Sequence, residues 1–457
     1  MLMSALFQPF IQQSPLSVMA RLTVERALRP ELLDELFERT AQKQYTEDLL
    51  FSSVADLMSL VVCGSAKHVK AGFERIKERI PVTLKCVYEK LQRMETGVSE
   101  ELVRFSATQC QSIIRELDGV LPDPLPGYRL KVLDGNCLTG TEKKVKELRG
   151  HSAAALPGKS LVVLDPALMR MIDVVPCEDG HTQERELLPR LIASIRAKDV
   201  WVADRNFRVI DWLNELSDRK AFFVIRRHKQ VTVESEQQWS EEVETETGWV
   251  SERRAVVKRG GSWELDVRVI RIRLKSPTRD GEAEVEILTN LPASVDAVKV
   301  AGIYLGRWKI ETAFQELTVY LKCELNTLGY PKAALFGFAV AIVAYNIQSV
   351  VKSALRSVHG VEKIESEFSD YYMATEWAAV FAGMMIALPV ACWEEYGRLS
   401  DHEFAKLMKE LAKGVRLDRF RKQKRSPKKK PTPRIKDRVP HRSTAKVLRE
   451  SRGQSSQ

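Results

Sequence analysis

The order of apolar runs in the middle of the chain constrains its fold most tightly. Three short β-type runs, Arg129–Leu133, Ser160–Leu164 and Met171–Val175, follow one another and are bounded by Gly, Pro or Asp. Two further runs, Val200–Ala203 and Ala221–Ile225, each come after a segment with helical periodicity. The sequence therefore predicts three strands in a row, followed by helix, strand, helix and strand.

This order is that of an RNase H-like α/β layer. The intervening helical segments are Glu184–Ile195 and Phe207–Leu216. The strand order expected for such a layer is 3-2-1-4-5, which puts the first and fourth strands side by side. We predict an RNase H-like catalytic core built from residues 128–228 and 293–330.

The remaining segments differ from this core in periodicity. Residues 1–120 contain few Gly or Pro and repeat apolar residues every three or four positions, which predicts an all-helical N-terminal domain. Residues 229–292 alternate as strands, with Gly260-Gly261 at a hairpin turn, and predict an inserted β domain. Residues 331–412 are helical, and their apolar stretches are too short for membrane spans, so we expect buried helices and no membrane partner.

Positive charge is concentrated at the C-terminal end. The chain has 71 Lys and Arg against 61 Asp and Glu, a net charge of +10. Residues 413–457 hold 17 of the basic residues and only 3 acidic ones, so the rest of the chain is slightly acidic. We predict a disordered basic tail that adds nonspecific, salt-dependent affinity for a polyanion.

Cysteine spacing and nucleotide-binding motifs indicate which kinds of protein this sequence can encode. The seven cysteines are scattered and never form a C-x-x-C pair, which indicates a reduced, intracellular protein without a zinc site. No Walker A motif or Gly-rich dinucleotide loop is present in the sequence, so we expect no nucleotide cofactor.

Three carboxylates are the candidate catalytic residues. Asp134 ends the first strand and Asp204 ends the fourth, while Glu311 lies in a helix predicted to run from Val298 through Leu321. Each has a simpler interpretation on its own: an Asp-Gly turn, a helix N-cap and a solvated glutamate. Because the first and fourth strands are predicted neighbours, a helix packed across the sheet could bring all three together.

Carboxylates that converge in this way repel one another unless cations lie between them. They are hard oxygen ligands, suited to Mg²⁺ or Mn²⁺. Two such ions can activate a water or a 3′-hydroxyl for attack on phosphorus. We therefore predict that Asp134, Asp204 and Glu311 bind two Mg²⁺ or Mn²⁺ ions and catalyse phosphodiester chemistry. Asp165 and Asp173 rank lower because they fall on the second and third strands.

The predicted Glu311 helix carries a polar stripe. At about 100° per residue, Tyr304, Arg307 and Lys322 lie within about 40° of Glu311. A hydroxyl and a guanidinium beside a metal ligand would suit a DNA phosphate. The simpler alternative is an ordinary amphipathic helix with a snorkelling arginine.

A further acidic motif, His181-x₂-Glu184-x-Glu186, has a weaker claim to function. It could be a metal cluster, but no other ligand pattern accompanies it. The acidic first turn of a helix explains it more simply.

Together these motifs resemble a known family. Tyr304-x₂-Arg307-x₃-Glu311 looks like the Y-R-E-K signature of the bacterial insertion-sequence-4-type DDE transposases, and the segments that start at Asp134 and Asp204 look like its two Asp motifs. The resemblance extends from the helical N-terminus to the tail and includes the β insertion. It departs at Thr318, which stands where the signature has Lys.

The resemblance implies a DNA transposase that cuts the ends of its own element and transfers 3′-hydroxyl strands to target DNA by a cut-and-paste route, with or without hairpin ends. It implies that the N-terminal domain recognises terminal inverted repeats and that a homodimer holds two ends in a synaptic complex. It also implies a bacterial cytoplasmic protein that acts at the nucleoid. Tyr304 and Arg307 would hold a phosphate, and Lys322 would replace the signature Lys. Trp308 would stack on a flipped base, although a core position explains it equally well.

Two other functions remain open at the level of sequence. One is a structure-specific nuclease or resolvase on the same fold, which would cut junction DNA without joining it. The other is a non-catalytic DNA-binding relative, which Thr318 makes conceivable. Trp239, Trp249 and Trp263 in the insertion are further candidates for a wedge into DNA.

Overall fold

A long mixed β-sheet crosses the centre of the computed structural model, which describes residues 3–138, 145–148, 155–228, 232–259, 263–278, 281–325, 328–423 and 442–454. The strands before residue 228 are β1 (Arg129–Cys137), β2 (Ala155–Leu156), β3 (Lys159–Asp165), β4 (Arg170–Cys177), β5 (Asp199–Ala203) and β6 (Phe222–Arg226). They lie in the order β4-β3-β1-β5-β6, with β2 outside this sheet. The predicted order 3-2-1-4-5 is confirmed, and β1 is parallel to β5.

The β insertion extends this same sheet. Its strands are β7 (Val233–Glu234), β8 (Val243–Glu244), β9 (Gly248–Arg259), β10 (Trp263–Leu274) and β11 (Glu284–Thr289). The last of them, β11, pairs antiparallel with β6, and β10, β9 and β7 follow in order. The insertion therefore covers the open edge of β6 and is continuous with the core sheet. The predicted turn at Gly260-Gly261 lies outside the described residues.

Helices precede the sheet, as the apolar periodicity predicts. They are α1 (Gln8–Gln13), α2 (Pro15–Ala27), α3 (Pro30–Thr40), α4 (Phe51–Val62), α5 (Val69–Ile76), α6 (Leu84–Arg93) and α7 (Thr96–Leu117). Their buried side chains belong to the same apolar cluster as one face of the sheet. The N-terminal helices thus share a core with the rest of the molecule.

The sheet separates two apolar layers because side chains alternate along each strand. On β1, Val132 points into the large helical core, and Leu133 points into a second cluster on the opposite face. That second face is covered by α8 (Ile210–Asp218) and by a 3-10 helix, Glu184–Ser194. Pro189 lies inside this 3-10 helix, and it lacks the N–H that a regular α-helix would need there.

The predicted continuous helix through Leu321 is wrong. The structure breaks it into α9 (Ala297–Leu305) and α10 (Trp308–Val319), with a turn at Gly306 and Arg307. Lys322 lies beyond the end of α10 and has a φ of 40°. The helical-wheel placement of Lys322 on the Glu311 face therefore fails, because no helix connects the two residues.

A buried helix completes the core. The C-terminal helices are α11 (Pro331–His359), α12 (Val361–Glu367), α13 (Asp370–Ala387), α14 (Glu394–Gly397) and α15 (Asp401–Lys413). The prediction that the apolar stretches of this region are too short to cross a membrane is wrong for helix α11, which is long and apolar enough. The prediction that it is buried is confirmed, because its apolar window lies entirely inside the protein. Its Asn346 side chain accepts a hydrogen bond from Met171 N (2.8 Å) and donates to Met171 O (3.0 Å), which ties the helix to β4.

The structure differs from the expectation of a disordered tail over residues 413–457. A 3-10 helix forms at Leu417–Phe420, and Phe420 packs against Phe368. Further on, β12 (Arg442–Ser443) pairs with β2, and α16 (Thr444–Gln454) follows it. The intervening residues 424–441 lie outside the described part of the chain.

Candidate catalytic site

Two aspartates lie side by side where β5 leaves the sheet. Asp134 lies inside β1, not at its end as predicted, because β1 continues along β3 as far as Cys137. On its other side, however, β1 pairs with β5 only as far as Leu133 and Ala203. The parallel register therefore places Asp134 next to Asp204, the first residue after β5. The predicted neighbourhood of these two residues is present in the structure.

The side chain of Asp204 has an incomplete set of partners. Asp204 stands at the N-cap position of the 3-10 helix Arg205–Phe207, yet its side chain makes no capping hydrogen bond. Its Oδ1 atom is buried and has no hydrogen-bond partner among the described residues. Burying an unpaired carboxylate oxygen costs free energy. The capping interpretation does not explain this arrangement, whereas a bound cation would satisfy the oxygen.

Arg307 connects the other two carboxylates. Its Nη1 donates to Asp134 Oδ2 at 3.0 Å, and its Nη2 donates to Glu311 Oε1 at 2.7 Å. The arginine is 7% exposed, in the turn between α9 and α10. Glu311 lies in the first turn of α10 and its side chain is 39% exposed. The structure thus brings Glu311 to Asp134, with a guanidinium between them.

The site is electrostatically strained around Asp134. Burial raises the pKa of Asp134 to about 6, the positive charge of Arg307 opposes this rise, and the negative charges of Glu184 and Asp204 add to it. Asp204 also interacts electrostatically with Tyr304 and Arg307. One guanidinium therefore does not fully compensate the carboxylates that meet here.

The donor set fits a divalent cation in its chemistry. Asp134, Asp204 and Glu311 supply hard oxygen atoms, and the buried Oδ1 of Asp204 lacks a partner among the described residues. Within the described ranges, however, no three His, Cys, Asp or Glu side chains lie close enough together to hold one metal ion. Arg307 occupies the position between Asp134 and Glu311. Binding of a cation by both carboxylates would require this arginine to move.

The strain at Asp134 predicts a pH-dependent difference in stability. Folding raises the pKa of Asp134 from its ordinary value of 3.8 to about 6. The folded state therefore favours the protonated carboxyl, whose contribution to stability is fully present below pH 4 and is lost as the pH rises through about 6. In EDTA, the free energy of unfolding of Asp134→Asn should therefore increase relative to that of wild type by about 2–3 kcal/mol as the pH rises from 4 to 7. Urea unfolding of both proteins across this range measures the change. A constant difference between them would contradict the raised pKa.

The structure separates the other predicted DNA-contacting residues. Tyr304 is 5% exposed, and burial together with the charge of Asp204 raises its pKa. Trp308 is 58% exposed, so the alternative of a core aromatic is wrong. Lys322 directs its Nζ towards Gly64, next to the C-terminal end of α4, and not towards the carboxylates. Thr318 lies exposed in the last turn of α10 and donates to the Phe314 carbonyl.

The tryptophans of the insertion pack against basic side chains. The guanidinium of Arg271 lies 4.0 Å from the ring centroid of Trp239, and that of Arg273 lies 4.6 Å from Trp249. Both rings are only partly exposed. The side chain of Trp263 lies outside the described part of the structure.

A fourth carboxylate, which the sequence interpretation assigned to a helix terminus, lies against the residue that follows Asp134. Glu184 begins the 3-10 helix Glu184–Ser194, which covers the face of the sheet opposite to α10. Its carboxylate packs against the backbone of Gly135. Burial raises the pKa of Glu184, Lys159 lowers it and Asp204 raises it further. The sequence signal that could have identified it is the glycine directly after Asp134, which leaves room for a close neighbour.

Comparison with known proteins gives a match over this part of the chain. Residues 126–347 match the family model of the transposase DDE domain, and this segment contains Asp134, Asp204 and Glu311. A provisionally named transposase of Sinorhizobium fredii (strain NBRC 101917 / NGR234), y4zB, is 25% identical over 189 residues. That match covers 41% of this chain and 51% of the relative, so the chain spans about half the length of the curated relative it matches.

One solved structure also shows a distant likeness. The cryo-EM structure of the piggyBac transposase synaptic complex with hairpin DNA is 12% identical, covering 81% of this chain and 82% of that chain, at a TM-score of 0.38. A TM-score this low does not establish a shared fold. Together, the match of residues 126–347 to the transposase DDE domain and the similarity to y4zB support a DDE transposase.

Proposed function

We propose that this protein is a transposase of the insertion-sequence-4 type, which cuts the ends of its element and joins the 3′-hydroxyls to target DNA. The observation that carries the proposal is the placement of Asp134 beside Asp204, with Glu311 linked to Asp134 through Arg307. These three carboxylates would hold two Mg²⁺ or Mn²⁺ ions. Such ions would supply activation of the attacking water or 3′-hydroxyl and stabilisation of the leaving oxygen.

The residues around the carboxylates would position the DNA. Arg307 bridges Asp134 and Glu311 in this structure, and a DNA phosphate offers it an alternative bidentate partner. Tyr304 packs within electrostatic reach of Arg307 and would orient it. Trp308 exposes most of its ring on the same turn, which supports base stacking during hairpin processing.

Other parts of the chain would bind DNA away from the reacting strand. The N-terminal helices would recognise the terminal inverted repeats, and a homodimer would hold two ends in the synaptic complex. The basic residues after 413 would add nonspecific phosphate contacts, which weaken as salt rises. Phe420 is buried against Phe368, β12 pairs with β2, and Val447 of α16 packs against Leu148. A deletion that removes basic residues but keeps these contacts should therefore be confined to residues 424–441.

A cleavage and joining assay tests the proposal. The protein would be incubated with Mg²⁺ or Mn²⁺ and a duplex that carries the terminal inverted repeats flanking its gene, together with a target plasmid. We expect cuts at the repeat ends, followed by joining to the plasmid. Cleavage of junction DNA without joining would favour a structure-specific nuclease, and binding without any cleavage would favour a non-catalytic relative.

A further inference from the structure

The carboxylate of Glu184 lies unusually close to the backbone of the candidate site. A Cβ atom built on Gly135 would overlap this carboxylate, because all three carboxyl atoms of Glu184 lie within 2.7 Å of its position. Gly135 directly follows Asp134, and a glycine here lets the glutamate approach β1 from the face opposite to Asp134. Any larger residue at position 135 would push Glu184 away.

No residue in the described part of the chain is a partner that accounts for this position of Glu184. It makes no hydrogen bond or ion pair with any residue that the structure describes, and Lys159 acts on it only at longer range. Its negative charge instead acts on Asp134 and Asp204, both of which are acidic. Like charges held together in a partly buried place oppose folding, so a cation is the missing partner.

Glu184 also lines a cleft suited to an anion. The cleft has a volume of about 590 Å³, and Arg185, Arg205 and Arg208 line it beside Glu184. Arg185 and Arg208 lie close enough for their charges to repel each other. A phosphate in this cleft would relieve that repulsion, and Glu184 both lines the cleft and acts through its charge on Asp134 and Asp204.

We propose that Glu184 is a fourth carboxylate of the metal site, whose charge strengthens the binding of the divalent cation held by Asp134 and Asp204 and positions that cation towards a DNA phosphate in the arginine-lined cleft. This inference rests on the proposed function. It concerns the affinity for the metal, so it does not depend on which DNA sequence the protein recognises.

Titration of Mn²⁺ in the absence of DNA, followed by the electron paramagnetic resonance of free Mn²⁺, tests this role. We expect Glu184→Gln to weaken Mn²⁺ binding about tenfold, a loss of about 1.4 kcal/mol. Glu184→Asp keeps the charge and should retain most of the affinity. Glu186→Gln removes the same charge from an exposed position two residues further along the same helix and should bind as wild type does.

Asp204→Asn in the same titration separates the two proposals. If Asp204→Asn loses Mn²⁺ and Glu184→Gln binds as wild type does, the metal site stands and the role of Glu184 is overturned. If wild type and Asp204→Asn bind Mn²⁺ equally, both proposals fail. Equal losses in Glu184→Gln and Glu184→Asp would also overturn the role, because they would indicate packing in place of charge. Thermal unfolding of each variant shows whether it is folded.

Discussion

Asp204→Asn is expected to reduce metal-dependent cleavage of terminal-repeat DNA by about 10³-fold or more, while binding of the same DNA changes little. Loss of a carboxylate that holds the metal removes several kcal/mol of transition-state stabilisation, and each 1.4 kcal/mol is a factor of ten. Asparagine keeps the shape of the side chain. Because Asp204 makes no capping hydrogen bond, the fold should not depend on its charge.

The matched control is Asp218→Asn at the exposed end of α8, which removes the same charge away from the site. Cleavage and gel-shift assays on both variants, at saturating Mg²⁺ and DNA, give the comparison. Cleavage by Asp204→Asn at the wild-type rate would remove Asp204 from the metal site. A parallel loss of binding and cleavage would instead indicate damage to the fold.

Arg307→Gln should have two opposite effects. Without DNA, it removes the positive charge that pairs with Asp134 and Glu311, so we expect Mn²⁺ to bind about tenfold more tightly. With terminal-repeat DNA, the loss of a guanidinium contact to phosphate should lower cleavage by about 10²-fold. This combination follows because one side chain is shared between the carboxylates and the DNA.

Arg219→Gln provides the control, since Arg219 pairs with Glu215 at the end of α8, on the opposite face of the sheet from α10. It removes one positive charge and should alter neither metal binding nor cleavage by more than a factor of about two. If Arg307→Gln binds Mn²⁺ less tightly than wild type, the arginine supports the metal site and does not compete with the cation. Unchanged cleavage would exclude a contact with DNA in the reaction.

The sequence predicted the parts of the fold that depend on local pattern. Short apolar runs between turn residues identified the strands, and their succession led to the order that puts β1 beside β5. This strand order was sufficient to predict that Asp134 and Asp204 lie close together, because neighbouring parallel strands end at the same edge of a sheet. The register is what places one aspartate beside the other.

Features that depend on long-range packing were not predictable in the same way. The pairing of β11 with β6 joins the insertion to the core sheet, and no local pattern specifies that partner. Helix α10 ends at Val319, so the helical face of Glu311 does not extend to Lys322, since a helical wheel assumes an unbroken helix. Glu184 was considered as part of a metal cluster but assigned to a helix terminus, because no local pattern shows that it approaches Gly135 from the opposite face of the sheet.

The most direct measurement is the anomalous scattering of Mn²⁺ in crystals of the protein bound to terminal-repeat DNA. We predict Mn²⁺ bound by Asp134, Asp204 and Glu311, with the guanidinium of Arg307 moved onto a DNA phosphate. If Mn²⁺ binds elsewhere on the chain, or if Arg307 still bridges Asp134 and Glu311 at saturating Mn²⁺ and DNA, these three carboxylates are not the metal site of a transposase.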